Sequence, residues 1–141
     1  MIVSTSLTSD LIRKLLATQR ELAKHEETRP PRGEAISADP ATVARLLDMD
    51  ADVQQIFRKN GWSAAEYVST HTTIVQTLIA MDELDTGDAK RLPDDVSEAN
   101  VQFLRNVPDD VEEAFRRWRQ ANVDPALREL REMRREMRRV K

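Results

Sequence analysis

Leu11, Ile12, Leu15, Leu16 and Leu22 recur at the 3.6-residue spacing of a helix face, and no segment alternates apolar and polar residues as a half-buried strand would. This first helix is expected to start near Ser9 and to fade by Glu26. The stretch EETRPPRGEAIS follows, with two prolines, a glycine and mixed charge. It predicts an exposed linker over 26–38, internal to one domain because too little chain precedes it to fold alone. Asp39 and Pro40 read as the N-cap and first position of a second helix, with Val43, Leu46 and Leu47 on its apolar face.

Val53, Ile56 and Phe57 mark a third helix that stops at KNG, where Gly61 takes the position beyond the helix end. SAAE at 63–66 is a capping box, and the helix that it opens carries the strongest periodicity in the chain: Tyr67, His71, Ile74, Val75, Leu78 and Met81. Trp62, just before the cap, is placed to pack on Tyr67. Gly87 and Pro93 bracket a loop. Ser97 caps a short helix within VSEANVQFLRNV, Pro108-Asp109-Asp110 opens another carrying Val111, Ala114, Phe115 and Trp118, and Pro125 opens the last. The pattern predicts an all-α fold: one domain over 1–141, an irregular bundle of five to seven helices with a charged C-terminal helix.

Composition agrees. Three glycines and 4% aromatic residues in 141 disfavour sheets, and 40% hydrophobic with 33% charged residues is globular. With no cysteine, disulfides, zinc thiolate sites and a cysteine nucleophile are excluded. No apolar run reaches transmembrane length, and the opening MIVSTSLTS has neither the basic start nor the apolar core of a signal peptide. The expected location is cytoplasmic as written, or periplasmic if a leader has been removed. The net charge of −3 names no partner, but its distribution is uneven. Asp82 to Glu113 holds eleven acids against three bases, and Pro125 to Lys141 holds seven bases against three acids.

Candidate chemistry is sparse. DMDADV at 48–53 begins like a calcium loop, but the loop needs glycine at its sixth position and a bidentate glutamate at its twelfth, and Val53 and Lys59 stand there. Asp50 or Asp52 as the cap of a helix that starts at Val53 accounts for the same residues. The DTG triplet at Asp85–Gly87 matches an aspartic-protease motif, but that chemistry needs two such aspartates sharing a proton; Gly87 as a helix end fits better. His71 falls on an apolar stripe without a second ligand at helical spacing, and His25 sits beside two glutamates at a helix end. No phosphate-binding loop and no nucleophile elbow occurs. The sequence therefore offers no catalytic, cofactor-binding or metal-ligating set.

The last helix is the unusual feature. In ALRELREMRREMRRVK, Ala126, Leu130, Met133, Met137 and Val140 are spaced 4, 3, 4, 3, an apolar seam of about two heptads that is too short to hold alone in water. Met133, Met137, Val140 and Leu130, flanked by Arg134 and Arg138, form the candidate interface, because methionine suits adaptable contact with a partner helix. The arginines are expected to lie scattered around the helix, partly paired with glutamates such as Glu132–Arg135 and Glu136–Arg139.

GWSAAEYV, a long helix, and then LPDDVSEANVQFLRN together resemble small helical proteins of uncharacterised function from Gram-negative bacteria, often exported; the resemblance spans roughly residues 40 to 120. It implies a helical fold and a periplasmic home, and no activity. The reading is a non-catalytic helical interaction module with a protein partner or a second copy of itself, no membrane span and no cofactor. One alternative is an anionic-surface or nucleic-acid binder using Arg131, Arg134, Arg135, Arg138 and Arg139, against which stand the net acidity and the interrupting Glu132 and Glu136. Another is a small-ligand pocket or enzyme near His71 and Tyr67.

Overall fold

The computed structural model describes residues 6–27 and 51–140, side chains at 25–27 and 140 excepted. The predicted linker over 26–38, the Asp39–Leu47 helix, Asp48, Asp50 and the His25 side chain lie outside what is described. Six helices fill the described chain: Ser9–Glu27 (α1), Ala51–Lys59 (α2), Ala64–Thr86 (α3), Glu98–Arg105 (α4), Asp109–Asn122 (α5) and Asp124–Val140 (α6). The described residues contain no strand, so the all-α expectation holds.

Local signals set the helix ends. α1 starts at Ser9 as expected, and Thr8 caps it: its hydroxyl accepts from the Leu11 N–H, whereas Asp52 lies inside α2, already helical at Ala51, and is not its cap. After α2 the Gly61 N–H donates to the Arg58 carbonyl and the Trp62 N–H to that of Phe57, the paired bonds of a Schellman motif, with Gly61 at φ 81°. Two residues later Ser63 and Glu66 close the predicted capping box around the start of α3. Gly87, at φ 79°, ends α3 with its N–H on the Leu84 carbonyl. Ser97 caps α4 through the Asn100 N–H, and Val123 alone separates α5 from α6.

α3 is the central element, packed against α1, α2 and α4. Ile74 and Leu78 are fully buried, with Tyr67 and Met81 on the same stripe, while His71 and Val75 are half-buried. Burial extends beyond that stripe to Thr70, Thr73, Thr77 and Asp82. Thr73 and Thr77 donate their hydroxyls to the carbonyls of Ser69 and Thr73, which satisfies the buried oxygens within the helix. α1 docks through Ile12, Leu15 and Thr18, all sealed from solvent, and the Leu7 N–H donates to the buried Asn100 Oδ1, tying the start of the chain to α4.

A row of rings links α2, α3 and α5. Phe57 and Trp62 lie 5.1 and 5.5 Å from Tyr67, Tyr67 stacks at 6.3 Å on His71, and Trp118 meets His71 edge-on at 5.8 Å and Phe115 at 5.7 Å. Every aromatic residue except Phe103 belongs to it. Trp62 also donates its indole N–H to Thr18 at 3.1 Å, while the Lys14 ammonium sits 4.8 Å over its ring.

Candidate interaction surface on the C-terminal helix

α6 is held by charge more than by apolar burial. Among its described side chains Leu127 alone is buried, with Leu130 half-buried against the core. The next two turns are fixed by a ladder of ion pairs. Asp82 of α3, with a side chain only 3% exposed, accepts from Arg131 on one oxygen and from Arg134 at 2.8 Å on the other. Asp88, just beyond α3, accepts from Arg134 Nε and Arg138 Nη1, both at 2.9 Å, and from the Thr86 hydroxyl at 2.7 Å. Arg134 is the shared rung, 20% exposed, bridging both carboxylates.

These contacts hold both acids in their charged forms. The Arg131 hydrogen bonds, and then those of Arg134, keep the Asp82 carboxyl below its ordinary range although burial opposes this. The Thr86 hydroxyl does most to depress Asp88, also against burial, followed by the charges of Arg138 and Arg134.

Leu127, Arg131, Arg134 and Arg138 are spaced 4, 3, 4, so they form one stripe, and that stripe faces the fold. The expected picture of scattered arginines partly paired with glutamates is therefore corrected for these three. They converge on Asp82 and Asp88 because a buried carboxylate offers a guanidinium a stronger partner than a solvated glutamate does. Glu136–Arg139 does form within the helix, at 3.4 Å.

The apolar seam lies beside the docked stripe. Leu130 is half-buried at its start, and Met133 and Met137 project into solvent, 60% and 65% exposed, the two large apolar side chains left exposed among the described residues. Val140 ends the helix, its side chain outside the description. Successive residues turn by about 100°, which brings Glu129 and Glu136 to the far edge of the methionine stripe and puts Arg128, Arg135 and Arg139 on the opposite face.

Sequence reasoning missed Asp82 and Asp88. The acidic run beginning at Asp82 and the basic run beyond Pro125 were a usable signal, since blocks of opposite charge in one small fold can meet.

The second candidate, around His71 and Tyr67, is a ring stack. Burial lowers the affinity of His71 for a proton and raises the pKa of Tyr67, which is also hydrogen-bonded to Gln19. Among the described residues no group of three or more acidic, histidine or cysteine side chains is arranged to hold a metal ion, and no described helix is long and apolar enough to cross a membrane. No family model, curated protein or solved structure matches the chain.

Proposed function

We propose that this protein is a non-catalytic helical interaction module that offers the Met133–Met137 stripe of α6 to another protein. One observation carries the reading: two exposed methionines stand on a helix that an ion network centred on the buried Asp82 fixes in place. With the helix anchored by Leu127, Leu130 and three arginines, the Met133–Met137 part of the seam is left free and presented in a fixed orientation. Pre-ordering of this kind lowers the entropic cost of binding. Methionine supplies flexible, polarisable contact. The acidic edge at Glu129 and Glu136 favours a partner helix whose apolar face is bordered by lysine or arginine. The patch is small beside the roughly 800 Å² per partner of a stable interface, so binding through it alone is weak and reversible.

Three of the arginines put forward for an anionic-surface binder are engaged with Asp82 and Asp88, which supports the apolar reading. Arg135 and Arg139 remain for that alternative, and Arg128 joins them on the same face of the helix. The comparison is therefore Met133→Glu with Met137→Glu against Arg128→Gln with Arg135→Gln and Arg139→Gln, in sedimentation and in capture experiments at several salt concentrations. Association lost in the methionine variant and kept in the arginine variant supports the module. The reverse result, with steep salt dependence, replaces it by the electrostatic alternative.

A further inference from the structure

A second surface lies away from α6, along the seam of α1 and α5. The two helices run the same way, tied near their starts by the Arg13–Asp110 ion pair. Further along, Leu16, Arg20 and Ala23 of α1 and Ala114, Arg117 and Trp118 of α5 line an open groove. Small side chains, Ala23 and Ala114, stand on its two sides and leave it open. Gln19 and Asn122 complete a lining that is otherwise apolar apart from two charged residues, both arginines, one on each bank.

Those arginines are lightly committed. Arg117 pairs with Glu113 one turn earlier at 2.7 Å, but both side chains are largely solvated, so that pair holds it weakly. Arg20 makes no ion pair among the described residues. Like charges on facing helices, with no acid lining the groove, favour an anion between them. Trp118 supplies an independent observation. It is 8% exposed, and its Nε1 is the one buried side-chain nitrogen or oxygen among the described residues without a hydrogen-bond partner. Buried donors are normally satisfied, and an indole N–H can only donate.

We propose that the α1–α5 groove is a binding site for a small amphipathic carboxylate, an apolar chain or ring carrying one anionic head. The apolar body lies on Leu16, Ala23, Ala114 and the Trp118 ring. The carboxylate sits between Arg20 and Arg117, whose planar guanidiniums match its two oxygens. The Trp118 N–H is sealed from solvent, so an acceptor oxygen of the ligand reaches it only as the lining side chains part.

The chain has two tryptophans, so its amide correlation spectrum contains two indole N–H resonances, and Trp62, already bonded to Thr18, is an internal reference. The full chain is titrated with octanoate, with octanol as the same tail without charge, and with sulfate as charge without a tail. The Trp118 resonance is expected to shift saturably with octanoate at millimolar concentration or below while that of Trp62 stays in place. Arg20→Gln with Arg117→Gln should weaken the response about tenfold, the size expected of a charge-assisted contact. Ala114→Leu, at an exposed position, should abolish the response while leaving the far-ultraviolet dichroism unchanged. The site is overturned if Trp118 does not respond to about 5 mM octanoate, the millimolar limit of useful affinity. It is equally overturned if octanol matches octanoate, or if sulfate alone reproduces the shift.

Discussion

Replacing Asp82 by asparagine keeps the shape of the side chain and removes its charge. Both oxygens are occupied in the native structure, by Arg131 and by Arg134. An amide can accept on one atom only, and its NH₂ turns a donor toward a guanidinium that also donates. Breaking one partner out of a buried ion pair costs about 3–5 kcal/mol. The Arg131 side chain is 47% exposed and regains water, and Arg134 keeps Asp88, so part of that loss is recovered. The expected destabilisation is about 2–3 kcal/mol at neutral pH. With a urea slope of roughly 1–3 kcal/mol per molar, the midpoint should fall by about 0.7–3 M. The loss should begin locally, because the last turns of α6 rest on this ladder and a 17-residue helix is marginal alone. Amide exchange should therefore quicken in α6 before it quickens in α1 or α3. Acid supplies a second reading. A carboxyl held below its ordinary 3.8 in the folded state contributes stability that is complete above that value and is lost as the pH falls through the folded one. The gap between wild type and Asp82→Asn should therefore close below about pH 4. A variant within half a kcal/mol of wild type, or a gap that stays flat from pH 7 to pH 3, would refute the ladder as the anchor of α6.

Other outcomes follow from single sites. Burial disfavours protonation of His71 in the folded state, so the unfolded chain takes up that proton first as the pH falls below its ordinary 6.5. Stability should decline from there toward pH 5, and His71→Gln should flatten that slope in urea midpoints measured against pH; an unchanged slope assigns the effect elsewhere. Leu78, sealed in the middle of α3, should cost about 2–4 kcal/mol when cut to alanine, and a loss under half a kcal/mol in chemical denaturation would contradict its place in the core. Millimolar calcium should give no heat in isothermal titration, since Val53 lies buried in α2 and Lys59 ends that helix; a dissociation constant below about 100 µM would revive the loop reading.

The helix ends were largely legible because caps are short-range chemistry. Ser63 with Glu66, Gly61, Gly87 and Ser97 each act on backbone groups within a few residues, and each does so where the sequence pointed. The extent of burial on α3 was less legible. Thr70, Thr73 and Thr77 read as polar, but the hydroxyls of Thr73 and Thr77 are satisfied by their own helix, so a core can take them in. The seam on α6 does form one stripe, while the arginine stripe that docks was not foreseen. Apolar spacing identifies which residues share a side of a helix; it cannot say whether a neighbouring helix offers that side a hydrophobic surface or a pair of carboxylates.

What decided the matter is the end of α3. Its last turns carry Asp82, Glu83 and Asp85 and no base, at the end where the helix dipole is already negative. Alone, that arrangement is unfavourable, and burial of Asp82 makes it more so. Arg105 of α4 answers Asp85 at 3.1 Å. Arg131 and Arg134 of α6 answer Asp82 from within the stripe that also buries Leu127. Had α6 docked through Leu130, Met133 and Met137 instead, it would have been rotated by about 100°, carrying the arginines away from the carboxylates they now reach. Two methionines would gain about 1.5–3 kcal/mol each on burial. A buried, uncompensated Asp82 would cost a comparable amount, about 3–5 kcal/mol, and Asp88 would lose Arg134 and Arg138 besides. The electrostatic demand at the end of α3 therefore sets the rotation of α6, and the methionines stand in solvent as a consequence of that choice.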